Sequence, residues 1–166
     1  MMRASGVTDG NPQQANRWLM RTMARECRRL SVSAVHAYED CSLWQFLEAK
    51  RLGKACVYDL PTCYYPAWQR TKAELSRHYA EWLRSKDLDA EDAIRIDYKR
   101  QEMELADLVL VASRFAEDTV REFHAQKEIA RTPYGVDLEF WTPAAASEPC
   151  GPLRFIYAGQ VSVRKG

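Results

Sequence analysis

Residues 108–112 read Leu-Val-Leu-Val-Ala, with no polar side chain among them. A short aliphatic run of this kind is a strand without a wet face, which belongs inside a parallel sheet covered by helices. Parallel neighbours must then be joined by crossover helices, so the flanking sequence has to alternate between helix and strand. It does. Residues 16–30 carry Trp18, Leu19, Met23 and Cys27 at helical spacing with arginines between, an amphipathic helix with those four expected inward. Residues 31–37 (SVSAVHA) predict a strand, and residues 42–52 a helix with Ser42 as N-cap and Gly53 as its stop. Residues 55–58 predict a second buried strand running into Asp59-Leu60-Pro61, followed by the aromatic loop Tyr64-Tyr65-Pro66.

Residues 67–85 predict a helix with Trp68, Leu75, Tyr79 and Trp82 on one face, interrupted by Asp87-Leu88-Asp89. Residues 91–106 predict a more charged helix turning Ile94, Tyr98 and Leu105 inward. After the 108–112 strand, Ser113 can cap a helix whose inner stripe is Ala116, Val120 and Phe123, with Glu117 and Asp118 suiting its positive end. Residues 129–133 are a short extended piece, leading into Tyr134-Gly135-Val136-Asp137, where Gly135 permits a positive φ. Residues 142–152, with three prolines and an alanine run, read as a linker, and residues 153–158 as one more buried strand. The expected fold class is α/β: a Rossmann-like parallel sheet covered on both faces, then the first strand of a second such domain. The expected division is a tail and helix (1–30), a partial first domain (31–142), a linker (143–152) and the start of a second domain (153–166).

Composition excludes more than it assigns. The 166 residues are 46% hydrophobic and 28% charged, with 24 Lys+Arg against 23 Asp+Glu, so bulk charge argues for neither nucleic acid nor membrane. No apolar run approaches the roughly 20 residues of a membrane span. The polar first fifteen residues lack the apolar core of a secretory signal. Five cysteines, odd in number and without a C-x-x-C pair, read as reduced thiols of a cytoplasmic protein, and neither spacing nor histidines suit zinc.

Two motifs fail on inspection. Ala112-Ser113-Arg114 lacks the glycines of a nucleophile elbow, so Ser113 is a helix cap. Gly159-x4-Arg164-Lys165-Gly166 is a near miss for a P-loop: Arg164 stands where the second glycine belongs, and Gly166 where a metal-binding hydroxyl belongs.

A different set of residues, taken in order, carries a resemblance. Ala106-Asp107-Leu-Val-Leu-Val-Ala-Ser113-Arg-Phe115, Thr132-Pro-Tyr-Gly-Val-Asp137, Phe140-Trp141-Thr-Pro143 and Ala158-Gly159-Gln160 followed by Arg164-Lys165-Gly166 resemble the family 4 (group 1) retaining glycosyltransferases of the GT-B fold. The resemblance implies two Rossmann-like domains facing a cleft, with a nucleotide-diphosphate sugar held mainly by the second and an acceptor hydroxyl presented by the first. It implies that Gly159, Gln160, Arg164 and Lys165 meet the donor diphosphate, Lys165 matching the family's phosphate-contacting lysine. Gln160 replaces the arginine common after that glycine, and Arg164 is placed to compensate. A cation there stabilises the charge that builds on a departing diphosphate. The resemblance implies no metal or other cofactor. Partners would be the nucleotide-sugar donor and an unknown acceptor, saccharide, lipid-linked or small molecule. There would be no nucleic acid and no transmembrane segment, with peripheral membrane association left open.

The departures bear on catalysis. The family's active-site histidine would fall near Pro61, and none is there. Its E-x7-E glutamate pair belongs to a part of the second domain that these residues do not include, so the catalytic residues are unassigned. Asp59 either takes a polar role near the acceptor or ends its strand by bonding backbone N–H groups. His36 either approaches the cleft or is an edge histidine. Tyr134, Gly135 and Asp137 either face the cleft or form a rigid crossover. Tyr64, Tyr65 and Trp68 either stack on a sugar or pack beneath a loop. The rival to a transferase fragment is a non-catalytic remnant or interaction module derived from one.

Overall fold

The computed structural model describes residues 12–83, 93–142, 151–152, 155–159, 161 and 163. The chain divides into two compact units, Met1–Trp68 with Ala90–Pro133, and Gln69–Asp89 with Tyr134–Gly166. The first unit holds the sheet. Its elements are α1 (Pro12–Arg29), β1 (Ala34–Tyr38), α2 (Leu43–Arg51), β2 (Ala55–Leu60), the start of α3 (Tyr65–His78), α4 (Ala93–Leu105), β3 (Leu108–Val111), α5 (Arg114–Arg121) and β4 (Glu128–Arg131). All four strands are parallel and lie side by side in chain order, β1-β2-β3-β4. The α/β arrangement with a parallel sheet expected from the alternating pattern is present.

Where both faces were expected to be covered, the described helices of this unit build a core on one face. Right-handed crossovers that all step in one direction stack their helices on one side. Accordingly Val35, Ala37, Cys56, Tyr58, Leu60, Val109 and Val111 form one core with Phe46 and Ala49 of α2, Met103 of α4, and Ala116 and Val120 of α5. The intervening residues Ala34, His36 and Tyr38 of β1 are exposed, and Val57, Asp59, Leu108 and Leu110 are half-buried. Among the described strands there is no reversal of order, and so no switch point.

Local chemistry sets the boundaries. Ser113 caps α5 as expected, its Oγ accepting from the Ala116 N–H at 3.2 Å. Ser113→Ala should lower the unfolding free energy by about 1 kcal/mol, read from a urea midpoint; no change would mean that solvent serves Ala116 equally well. Ser42 occupies the N-cap position of α2 but makes no capping bond with its side chain. Lys54 sends its ammonium to the orphan carbonyls of Cys27 (2.6 Å) and Leu30 (2.8 Å), finishing α1. Asp107 accepts the Cys56 N–H at 2.7 Å and pairs with Lys50, tying the entry of β3 to β2; the lysine holds its carboxyl below the usual range.

Of the four residues expected inward on α1, Cys27 is buried and Met23 half-buried, whereas Leu19 is exposed and Trp18 is 68% exposed; Met20 joins Cys27 in the buried strip. The helix packs mainly on α2, with Cys27 reaching the core shared with the sheet, so a narrow strip suffices. On α4 the buried residues are Lys99, Glu102 and Met103, whereas Ile94 faces solvent. Tyr64 is buried beneath its loop against Tyr65, Phe123 and His124, the packing alternative for that residue. His124 is half-buried, its Nε2 lying 3.0 Å from the Tyr64 hydroxyl, and burial lowers its pKa.

In the second unit, α3 ends at His78 and a 3-10 turn, Ala80–Trp82, follows. The change of pitch breaks the expected stripe, leaving Tyr79 and Trp82 exposed. Residues 155–158, expected to lie in a buried strand, are outside the sheet, with Phe155 and Ile156 exposed. A strand exists only through neighbours on its edges, and among the described residues of this unit there is no other strand.

Candidate functional site

Parallel α/β sheets take ligands beyond the carboxyl ends of their strands. At that edge β1 runs into Glu39 and Asp40, β2 carries Asp59 and Leu60, and α4 lays Arg95, Lys99 and Glu102 alongside. Asp40 adopts φ 68, a left-handed turn that aspartate tolerates better than most residues. The turn aims successive N–H groups at the Glu102 carboxylate, which accepts from Asp40 (2.9 Å), Ser42 (2.9 Å) and Leu43 (3.1 Å). The Tyr58 hydroxyl adds a fourth donor at 3.3 Å. Burial keeps that phenol protonated by raising its pKa well above the ordinary value, with Glu39, Glu102 and Asp40 acting in the same direction. Burial also raises the Glu102 carboxyl, against the pull of its three backbone donors.

The amino end of α2 is thus filled from within. In nucleotide-binding α/β proteins a phosphate commonly sits at such a helix start; here a side-chain carboxylate takes the same N–H groups. Beside it Lys99, with its side chain 7% exposed, lies 3.1 Å from Glu39 and 3.7 Å from Asp40. Arg95 also binds Asp40, with Nε 3.1 Å from Oδ1. This buried ionic group was not among the expected site residues. Its signal was present: Lys99, Glu102, Met103 and Ala106 recur at i, i+3, i+4 and i+7, one helical stripe on which two charges replace apolar side chains.

On the open face of the sheet, His36 Nε2 stands 3.4 Å from Asp59 Oδ2, within ion-pair reach when the imidazole is protonated. The His36 and Tyr38 rings stack at 6.3 Å. Asp59 lies inside β2, one residue before its end, and pairs across to β1 rather than terminating the strand. The side chain of His36 is 53% exposed and that of Asp59 23%, so both are reachable by a ligand that settles on Tyr38. An aromatic face beside a carboxylate and an imidazole can stack on a sugar ring and hold its hydroxyls.

The remaining expected residues belong to the second unit. Tyr134 is exposed, and Gly135 is not in the positive-φ region its glycine permits. Asp137 accepts the N–H groups of Glu139 (3.0 Å) and Phe140 (3.1 Å), a local turn that places Phe140 against Trp141. Gly159 lies near the Tyr157 ring, and a Cβ there would meet its hydroxyl at 3.4 Å. Gln160, Arg164 and Lys165 lie outside the described residues. Among the described residues no group of His, Cys, Asp and Glu is placed to hold a metal, and no helix is long and apolar enough to cross a membrane. No family model matches the chain, and no curated protein or solved structure matches it significantly.

Proposed function

We propose that this chain is the acceptor-side portion of a retaining, GT-B-type glycosyltransferase, together with the opening of its donor-binding segment. The observation that carries the reading is the meeting of His36, Tyr38 and Asp59 at the carboxyl ends of two adjacent parallel strands. In this role Tyr38 stacks on the acceptor, and Asp59 and His36 accept hydrogen bonds from the hydroxyl that will attack. The resembling segments also support it by their placement: Ala106 to Phe115 forms β3 and the capped start of α5, and Thr132 directly follows β4. Donor contacts belong to Gly159, Gln160, Arg164 and Lys165. The exposed Phe155 and Ile156 favour the second reading, a non-catalytic interaction module.

A transfer assay with labelled nucleotide sugars separates the two. The 166-residue chain alone should show no turnover. The same chain continued into a second α/β unit carrying the glutamate pair should transfer sugar with retention. There, Lys165→Ala should weaken donor binding about tenfold and Asp59→Asn should raise the acceptor KM by a similar factor. No transfer by the continued protein would sink the enzyme reading, and turnover by the short chain would overturn the assignment of donor contacts to the second domain.

A further inference from the structure

Helix α1 carries five arginines against one acid, Glu26, although the whole chain is only +1. The arginines are not spread around the helix. Arg17, Arg21, Arg25 and Arg28 recur at i, i+4, i+8 and i+11, one exposed stripe to one side of the buried Met20 and Cys27. Over that interval a helix rises about 17 Å, so the stripe is linear and spans several lipid headgroups. Among the described residues, Arg17, Arg21 and Arg25 have no carboxylate within ion-pair distance. Arg21 instead lies 4.6 Å above the Trp44 ring.

Between α1 and α2 the stripe borders a shallow groove of about 480 Å³ lined by Arg21, Arg25, Arg28, Trp44, Glu48 and Arg51. Glu48 is the groove's one acid, and it is already spent: hydrogen bonds from Arg51 and Arg28 hold its pKa at about 2. The groove therefore presents net positive charge at any physiological pH. Exposed apolar side chains accompany the arginines: Leu47, 48% exposed, lines the groove, and Trp18, 68% exposed, lies on α1 three residues before Arg21. Nucleic acid would use the arginines and leave these two in water. A bilayer surface uses both, with headgroup phosphates taking the guanidinium groups and the headgroup–acyl boundary taking Trp18 and Leu47.

We infer that α1 and the α1–α2 groove form a docking surface for an anionic phospholipid bilayer. This does not depend on the transferase reading, because none of the residues involved belongs to the strand-edge cluster. The test is flotation of the whole 166-residue chain with phosphatidylcholine vesicles, with and without phosphatidylglycerol. Binding is expected only with the anionic lipid, should fall as salt rises, and should survive inorganic phosphate at matched ionic strength. The triple variant Arg17→Gln, Arg21→Gln, Arg25→Gln keeps good helix formers on an exposed face. It should lower partitioning about a hundredfold, since each arginine near an anionic leaflet contributes about fivefold. Trp18→Ala should lower it by a smaller factor, and far-UV circular dichroism checks that both variants fold. Equal binding to neutral vesicles, undiminished binding by the triple variant, displacement by free phosphate, or binding to duplex DNA but not to vesicles would each overturn the proposal.

Discussion

Glu102→Ala should remove about 4 kcal/mol of unfolding free energy, the largest loss expected from any single substitution in the ionic group. The carboxylate is fully buried and serves three backbone donors at once. Deleting it strands those N–H groups in a site where water has little room, and each stranded donor costs on the order of 1–3 kcal/mol. The cavity and the orphaned Tyr58 hydroxyl add to this. For a chain of this size the melting temperature should fall by roughly 10 °C. Glu102→Gln keeps the volume and one acceptor oxygen but turns an amide donor toward the other N–H groups, so it should recover about half. A loss below about 1 kcal/mol for the alanine variant, in urea titration, would mean that the turn after β1 stands without its carboxylate.

Lys99→Ala should cost about 3 kcal/mol at neutral pH, because it removes the ammonium that lies beside both Glu39 and Asp40. Lys99→Met, which keeps the apolar stem and drops the charge, separates the ionic loss from a simple packing defect. Parallel urea titrations of the two variants should give similar deficits. A methionine variant as stable as wild type would place the loss in packing of the lysine stem.

The fold was legible in the sequence wherever one periodicity dominated. The LVLV run is β3, Ala55 onward is β2, and Ser113 caps α5 where its side chain and spacing placed it. The helix faces were harder to read. Trp18 and Ile94 were expected inside because they are large and apolar, yet α1 covers only a strip of α2, and α4 spends its inner stripe on Lys99 and Glu102. The one local sign that these charges are buried is the stripe they share with Met103 and Ala106; their partners, Glu39 and the N–H groups of Asp40, Ser42 and Leu43, are about 60 positions away. Which face of the sheet these helices cover was hidden for a similar reason. Alternating helices and strands define crossovers but not the order in which strands lie. Of the strand-edge residues, Asp59 and His36 were both named from sequence, but only the parallel register of β1 on β2 puts them together.

The self-filled start of α2 also governs how the site can move. In many α/β proteins the segment after the first strand is loose and tightens when an anion arrives. Here residues Asp40 to Leu43 are stapled to α4 before any ligand comes, so this wall of the crevice is rigid and already committed. A negatively charged substrate gains nothing by approaching it, and adaptation to an incoming molecule falls to the open sheet face around Tyr38.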